Sequence, residues 1–415
     1  MKRPLYGWLL SDAVSLTGTR ISMIAIPWFV LTTTGSATQT GLVAFAEMLP
    51  LVVAKVLGGP VIDRLGARRV AIACDVGSFG AVGLVPLLHA LGWLSFPLLL
   101  ALVAVAGALR GPGDAAKDSL TPVIVAAAQV PMERATGLAT AVERGAGMVG
   151  FALAGALVVA VGPATALVAN AGSFLVGGAI LAWATCGLPR PDHAEDPHES
   201  PARYWQSLRE GWSFLRREPV LLGLSLMIAV TNLLDLAWSA VLAPVWAVES
   251  GNGVGLLGMI FAVFAGSSVV GALIASAWGH RLPRFRTYIL AYLICGLPRF
   301  LVMAADSPLW SILMIMVVSG VASGFLNPIL GAVFYERIPN ALVGRVSSLS
   351  TSMAYALMPL GGLVGAALIG GFGLSPALAI AGIAYLATTM APTVVPSFRE
   401  MNRQEPTPVT PHAAV

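Results

Sequence analysis

The feature that most constrains the fold of this chain is a series of apolar runs, each about 20 residues long, along nearly its whole length. A run of that length can cross the hydrocarbon core of a membrane as an α-helix. Backbone polar groups inside lipid need partners within their own segment, so these runs are expected to be helical. Since the mean hydropathy is +0.83 and only 11% of the residues are charged, the sequence predicts an all-α integral membrane protein.

Twelve spans are predicted, six on each side of a polar segment. Their expected bounds are 6–32, 39–59, 69–90, 96–121, 134–160, 164–187, 219–247, 254–277, 286–305, 308–334, 342–371 and 374–395. The basic start of the chain is similar to a signal peptide. Asp12 interrupts its apolar region, however, and no small-residue cleavage site follows, so we expect a retained first helix.

Basic residues fall on one side of the predicted membrane. The loops after odd-numbered spans contain no Lys or Arg, whereas the chain ends and the other loops contain many. The positive-inside rule therefore predicts that both termini are cytoplasmic. Arg outnumbers Lys and Ala is abundant, which is typical of a GC-rich bacterial genome. The expected location is therefore a bacterial cytoplasmic (inner) membrane. The basic groups would face membrane lipid. The sequence shows no basic patch on a soluble face, so no nucleic-acid partner is expected.

The polar segment divides the chain. Residues 189–202, PRPDHAEDPHESPA, indicate a flexible linker. An amphipathic helix is predicted after them, lying either on the membrane surface or against the bundle. Its apolar face is formed by Trp205, Leu208, Trp212 and Leu215. The predicted domains are a six-helix bundle over 1–188, a cytoplasmic linker over 189–218, a second bundle over 219–396 and a disordered tail over 397–415.

Several classes of function are disfavoured. Cys74, Cys186 and Cys295 lie far apart, and no Cys/His ligand spacing exists, so neither a disulfide framework nor a metal site is expected. The sequence contains no HExxH or GxSxG pattern, either of which would indicate an enzyme. The sequence also contains no GxxxxGK[ST] loop, which would indicate ATP binding. Ion coupling is therefore the expected source of energy, and no cofactor is predicted.

The two halves of the chain resemble each other. Residues 154–167 (AGALVVAVGPATAL) align with 365–378 (GAALIGGFGLSPAL). A Pro also recurs near the end of the fourth span of each half, as Pro112 and Pro328. Parallel six-helix repeats are typical of secondary transporters that alternate access around a central site.

Residues 58–70, GGPVIDRLGARRV, lie between the second and third spans and carry a recognisable signature. On this pattern the chain resembles the major facilitator superfamily over nearly its whole length, which implies twelve helices in two pseudo-symmetric bundles. The resemblance implies that the loop is a gating latch between spans 2 and 11. The twin segment 278–286 lacks the Asp, so its latch is expected to be weaker. The latch residues are Gly59, Asp63, Arg64, Gly66, Arg68 and Arg69.

A second resemblance concerns export. Residues 146–155, AGMVGFALAG, are similar to a helix 5 motif of antiporting exporters, although Phe151 replaces its Pro. The segment from Trp28 to Arg64 is similar to the drug–proton antiporter branch that includes macrolide and siderophore exporters. The motif positions in span 5 are Ala146, Gly150, Ala154 and Gly155.

Charged side chains inside spans are costly and therefore mark candidate functional sites. Asp235 lies near the middle of span 7, on one helical face with Asn232, Ser239 and Trp246. A carboxylate there without a fixed cation could alternate between its charged and neutral forms, which suits a proton carrier. The alternative is a structural Asp that forms hydrogen bonds at a helix interface.

Other buried charges are assigned as follows. Asp12 and Glu143 are further candidates for proton coupling, and the resemblance implies that Arg110 tunes a nearby carboxylate. Arg20 of span 1 and Glu47 of span 2 lie at similar depths, so a structural ion pair is predicted between them. The competing idea is that Glu47 conducts protons, for which a paired Glu would be poorly suited.

The resemblance implies a cavity lined by spans 1, 4, 7 and 10. Aromatic residues with few fixed charges suit amphipathic organic substrates. The alternative for any one aromatic residue is packing against lipid. The candidate cavity residues are Trp28, Phe29, Asn232, Trp238, Phe325 and Asn327.

The predicted function is export of a small amphipathic organic compound, such as a drug, antibiotic, siderophore or other metabolite, by proton antiport with alternating access. The expected partners are this substrate, protons and membrane lipid, and a monomer is expected. A lipid or lysolipid flippase and a nutrient importer of the same superfamily are the alternatives. A sensor with the same fold that has lost transport is a further possibility.

Overall fold

The computed structural model describes residues 3–188, 201–305, 307–339, 342–395 and 398. Within these residues the secondary structure is helical and no strand occurs. The predicted flexible segment 189–200 and all of the predicted tail except residue 398 lie outside the described residues. The prediction of an all-α membrane protein is confirmed.

Among the described residues, twelve helical segments are long and apolar enough to cross a membrane. Spans 1–6 are Arg3–Thr34, Ala37–Leu57, Ala67–Ala90, Phe96–Ala128, Arg134–Val161 and Pro163–Ala184. Spans 7–12 are Pro219–Glu249, Gly253–Trp278, Arg284–Ala304, Leu309–Phe334, Arg345–Phe372 and Leu374–Val394. The predicted bounds lie close to these. The largest difference is at the end of span 4, where the helix restarts at Thr121–Pro122 and continues to Ala128.

The first span begins and the last span ends at the same face of the molecule. That face carries exposed Arg64, Arg68 and Arg69 between spans 2 and 3, and exposed Arg281 and Arg286 around the start of span 9. We call it the basic face and the other the opposite face. A short helix, Gly59–Leu65, lies at the basic face.

The two bundles pack closely in the half of the molecule near the opposite face. A Cβ added to Gly41 of span 2 would lie 2.4 Å from the carbonyl oxygen of Gly362 in span 11, and one added to Gly258 of span 8 would lie 2.7 Å from Cα of Gly155 in span 5. Nearer the basic face, a Cβ added to Gly137 of span 5 would meet no atom within 4 Å. The bundles are therefore closed against each other at the opposite face.

Spans 7 and 9 are interrupted where they approach the centre of the molecule, and span 11 is interrupted by a 3₁₀ turn over Met358–Leu360. In span 7, a π-helical turn over Trp238–Leu242 joins the helix Pro219–Ala237 to the helix Ala243–Glu249. Pro244 cannot donate a backbone hydrogen bond to the preceding turn, which accounts for this distortion. Span 9 breaks at Gly296, just before Pro298, and resumes as Leu297–Ala304.

The linker helix, Pro201–Arg217, packs against the second bundle through its C-terminal half. Leu215 is fully buried in an apolar cluster with Leu221 of span 7 and Val346 of span 11. Arg345 donates a hydrogen bond to Glu210 at 2.6 Å. The sequence left two placements open for this helix, on the membrane surface or against the bundle. Its C-terminal half packs against the bundle. The side chains of Trp205 and Leu208 lie outside the described part of the chain.

Candidate functional site

A cavity of about 400 Å³ lies at the centre of the molecule, mainly within the second bundle. Its wall consists of residues from spans 7, 8, 9, 10 and 12, together with Phe151 of span 5. The predicted cavity residues Asn232, Trp238 and Asn327 line it. Asn232 donates a hydrogen bond to the carbonyl oxygen of Ala354 in span 11, at 2.9 Å.

The other predicted cavity residues do not line this cavity, which corrects the prediction. Phe29 is buried on the side of span 1 that faces span 3, with its ring edge against His89. Trp28 is half-buried and packs against the apolar core. Phe325 precedes the lining residues Leu326 and Asn327, and adjacent helical residues point about 100° apart. Depth in a span was predictable, but the direction of each side chain was not.

Asp235 is ion-paired with Arg299 of span 9. The Asp235 side chain is 41% exposed, whereas that of Arg299 is only 6% exposed. The carboxylate thus faces the cavity and the guanidinium lies behind it. Since this carboxylate has a fixed cation beside it, the condition for a simple proton carrier is not met. Arg299 lies in the first turn of the helix that resumes after the break at Gly296.

Four aromatic rings surround the Arg299 guanidinium. The centroids of Phe300 and Tyr385 lie 4.9 Å from it, that of Trp238 lies 5.2 Å away, and that of Phe264 lies 5.9 Å away. Each such contact contributes about 0.5–2 kcal/mol, more when the cation is desolvated. The Nε atom of Arg299 and the indole nitrogen of Trp238 are buried and form no hydrogen bond within the described structure. We call this set of rings the aromatic cage.

In the first bundle, Glu47 pairs with Arg110 and not with Arg20, so the predicted Arg20–Glu47 pair is wrong. The Nη1 atom of Arg110 lies 3.3 Å from Oε1 of Glu47. The helices meet closely because span 4 presents Gly107, where an added Cβ would lie 2.1 Å from the Glu47 carbonyl oxygen. Arg20 instead faces span 5, with its guanidinium 5.6 Å from the Phe151 ring centroid.

A second buried pair in the first bundle was not predicted. Lys117 of span 4 donates hydrogen bonds to Asp75 of span 3 at 3.0 Å and to Ser15 of span 1 at 3.3 Å. Asp12 lies close enough to interact electrostatically with both Lys117 and Asp75. The signal in the sequence was a lone Asp within span 3. Glu143 is exposed, while its neighbour Arg144 donates a hydrogen bond to Ser268 of span 8 at 2.9 Å.

The predicted latch loop lies on the basic face. Its residues border a groove of about 580 Å³, lined also by the ends of spans 4 and 6. Arg68 donates hydrogen bonds to the hydroxyl of Thr185 at 2.9 Å and to the carbonyl oxygen of Ala182 at 3.0 Å. Asp63 and Arg64 are exposed, and no hydrogen bond or ion pair joins this loop to span 11 among the described residues. The latch between spans 2 and 11 stays a prediction.

The twin segment has an acidic partner from another span. Arg284 donates two hydrogen bonds to Glu336, which follows span 10, at 2.5 and 2.7 Å. These bonds lower the pKa of the Glu336 carboxyl below its ordinary value. The twin segment, which lacks the Asp, thus forms an ion pair with a Glu that is distant in the sequence.

The helix 5 motif brings span 5 close to its neighbours. A Cβ added to Gly150 would lie 2.6 Å from Cβ of Arg20, and one added to Gly155 would lie 3.0 Å from Cα of Gly258. Ala146 and Ala154 are buried. These small residues let span 5 pack against both bundles. No group of three or more His, Cys, Asp or Glu side chains in the described ranges is placed to hold a metal ion.

Comparisons with known proteins agree with this architecture. The family model for the Major Facilitator Superfamily matches residues 9–244 and 226–413. The chain is 32% identical to the multidrug efflux pump Tap of Mycobacterium tuberculosis over 405 residues, covering 96% of this chain and 95% of that protein. It is 24% identical to macrolide efflux protein A of Streptococcus pyogenes, covering 87% and 88%. The crystal structure of the nucleoside transporter NupG superposes with a TM-score of 0.74 at 14% identity, covering 97% and 100%.

Proposed function

The chain belongs to the Major Facilitator Superfamily, and on this premise we propose that it exports small amphipathic organic compounds, drugs among them, in exchange for protons. It is a multi-pass membrane transporter and not an enzyme. The observation that carries the proposal is the central cavity, whose wall is aromatic and holds one charged pair. Its relatives Tap and macrolide efflux protein A are named as efflux proteins, which supports export over import.

The substrate binds in the central cavity. Aromatic and aliphatic side chains form most of its wall, and a few polar groups such as Asn232, Ser239 and Asn327 can orient a ligand. A cavity of about 400 Å³ falls within the usual range for small-molecule sites. Because the charged residues of the first bundle do not line this cavity, they can serve a different function, which is proton coupling.

Asp235 has Arg299 as a fixed partner, so we assign the coupling proton to the first bundle, at Asp12. Lys117 is paired with Asp75, and Asp12 lies close enough to interact electrostatically with both, so a proton on Asp12 would neutralise a carboxylate that has no ion-pair partner of its own among the described residues. Arg110 is paired with Glu47, so the carboxylate that it would tune is Glu47. Glu143 is the remaining candidate.

Transport proceeds by alternating access with the basic face in the cytoplasm. The close glycine contacts between the bundles near the opposite face support a state that loads from the basic face. Substrate would enter from the cytoplasm, the bundles would rock about the central cavity, and the opposite face would open for release. The latch loop would then close the basic face.

The test is efflux from energised cells that express the wild type, Asp12→Asn or the control Glu249→Gln. The panel contains amphipathic cations, macrolides and siderophores, each with and without a protonophore. We expect efflux of at least one class that stops with the protonophore and falls in Asp12→Asn. Efflux that persists with the protonophore would contradict proton antiport.

Two outcomes would favour the alternatives. Accumulation of a compound by wild-type cells in place of efflux would indicate an importer. Movement of a labelled lysolipid between leaflets, with no efflux of any compound on the panel, would indicate a flippase. Either result would overturn the proposed export of amphipathic compounds.

A further inference from the structure

We propose that Asp235 is a counter-ion shared between Arg299 and the ammonium group of an organic cation that binds in the central cavity. This inference rests on the proposed function and deepens it, because it names the class of substrate. The substrate is a cation carried on an aromatic or otherwise apolar body. Arg299 and the aromatic cage are the parts of the protein that make the exchange of partners possible.

The two members of the ion pair face different surroundings. Asp235 keeps 41% of its side-chain surface exposed, while Arg299 keeps 6%. Both residues line the cavity, and a ligand there therefore meets much more of the carboxylate than of the guanidinium. Arg299 donates to Oδ1 of Asp235, which leaves Oδ2 as an acceptor for a second cation.

The aromatic cage adds contacts to Arg299 beyond the one with the carboxylate. Separating a buried guanidinium from its counter-ion is normally very unfavourable. Here the four rings come from spans 7, 8, 9 and 12 and lie 4.9–5.9 Å from the guanidinium. The Nε atom of Arg299 forms no hydrogen bond within the described structure, so ring contacts are a large part of what holds this side chain. The carboxylate can thus turn towards a ligand while the arginine stays in place.

The rest of the cavity wall suits a cation. Apart from Asp235 and Arg299, the residues that line it carry no formal charge. Its aromatic residues include Phe151, Phe261 and Tyr292, and aromatic faces attract cations. An anion would meet the Asp235 carboxylate first, with the positive charge shielded behind it. The geometry therefore selects for positive charge.

Sharing Asp235 also keeps the empty cavity electrically neutral. Without substrate, the pair has no net charge, which lowers the cost of holding ionised groups at the depth of the membrane. With substrate, the carboxylate lies between two cations and the aromatic rings stabilise both of them. A neutral substrate gains nothing from this arrangement.

The test uses a matched pair of ligands and the purified full-length protein in detergent. One ligand is a phenylalkyl trimethylammonium ion, and the other is its neutral isostere with carbon in place of nitrogen. Binding is measured by isothermal titration calorimetry. We expect Asp235→Asn to weaken binding of the cation about tenfold or more and to leave the isostere nearly unchanged, because a charge-assisted contact is lost. Glu249→Gln, an exposed carboxylate later in the same span, is the control and leaves both affinities unchanged.

Arg299→Gln tests the exchange itself. Removing the competing cation is expected to strengthen binding of the trimethylammonium ligand. If that variant does not fold, Phe300→Leu removes the one ring of the cage that does not line the cavity, and it is expected to weaken cation binding about threefold without affecting the isostere. Equal losses for both ligands in Asp235→Asn, or unchanged cation binding in that variant, would overturn the proposal. So would selective loss of cation binding in Arg299→Gln.

These outcomes are separable from failure of the proposed function. Asp235-dependent binding of the cation by purified protein, with no efflux of any compound from cells, would leave the inference standing and remove the export proposal. Protonophore-sensitive efflux that responds to Asp12→Asn, with no charge preference in the binding assay, would do the reverse.

Discussion

At the residue scale, buried charges in the two bundles are neutralised in different ways. In the first bundle, Lys117 and Asp75 have side chains only 7% and 6% exposed, and Lys117 donates a hydrogen bond to Oδ1 of Asp75, whereas Oδ2 has no hydrogen-bond partner among the described residues. In the second bundle, Arg299 is held by rings as well as by Asp235. A buried ion pair adds little net stability, but removing one partner leaves an uncompensated charge. The same change should therefore have very different effects at buried and at exposed pairs.

Lys117→Met is expected to destabilise the protein by about 3–5 kcal/mol, because Asp75 is left buried beside an apolar side chain. The double variant Asp75→Asn/Lys117→Met should recover more than half of this loss. The matched control is Arg345→Met at the exposed pair with Glu210, where the loss should stay below about 1 kcal/mol. Thermal unfolding in detergent measures all three. Similar losses in Lys117→Met and in the control would contradict the prediction.

Glu336 provides a pH-dependent test outside the spans. Its folded-state pKa is lowered by the two hydrogen bonds from Arg284 and lies below the unfolded-state value of about 4.3. The pair therefore stabilises the fold above that pH, and the contribution is lost as the pH falls through the folded-state pKa. Because the Glu336 side chain is 42% exposed, the contribution of this pair to the free energy of unfolding should stay below about 1 kcal/mol.

The measurement is thermal unfolding of the wild type and of Glu336→Gln between about pH 3 and pH 7. The wild type should be the more stable at neutral pH, and the difference should disappear towards the acidic end. A difference that does not change with pH would mean that the Arg284–Glu336 pair does not supply it.

Pairing between residues was the least predictable part of the site. The positions of Arg20, Glu47 and Arg110 along their helices were readable, because depth follows from counting residues in a span. Which of them meet depends on how the helices are rotated and how closely they approach. Gly107 lets spans 2 and 4 approach closely, and Glu47 therefore pairs with Arg110. The partner of Asp235 was missed for the same reason.

At the element scale, span bounds were predictable because apolar length alone sets them. Span 7 was expected at 219–247 and is observed at Pro219–Glu249. Its π turn at Trp238–Leu242 and the break of span 9 at Gly296 were not predicted, although Pro244 and Pro298 are visible in the sequence. A Pro inside a span permits several distortions, and packing decides which one forms.

The packing of span 5 against span 8 gives an element-scale prediction. A Cβ at Gly258 would lie 2.7 Å from Cα of Gly155, so Gly258→Ala must push the two helices apart. We expect a loss of about 1–3 kcal/mol and weaker closure of the opposite face. Gly145→Ala in span 5 is the control, since its added Cβ would meet no atom within 4 Å, and it should be neutral or slightly stabilising. Unfolding and efflux assays on both variants decide the point. Equal behaviour of the two would show that the close contact does not matter.

At the scale of the whole molecule, the repeat in the sequence predicted two bundles, but it could not predict which face is closed. Under the proposed alternating access the same sequence forms both states, so no local pattern would encode one of them. The structure holds the bundles together through contacts such as Gly41 with Gly362, and Gly255 with Val159. The proposed release of substrate by alternating access requires these contacts to separate.

A disulfide across the closed face tests this requirement. Gly255 begins span 8 and Val159 ends span 5, and a Cβ added to Gly255 would lie 3.3 Å from Cγ2 of Val159. In a Cys186→Ser background, which removes the exposed native thiol, Val159→Cys/Gly255→Cys should form a disulfide under mild oxidation. We expect the cross-linked protein to lose efflux and to regain it on reduction, because the opposite face can no longer open. Each single cysteine variant should keep efflux under oxidising conditions. Full efflux by the cross-linked protein would mean that substrate leaves without separation of spans 5 and 8.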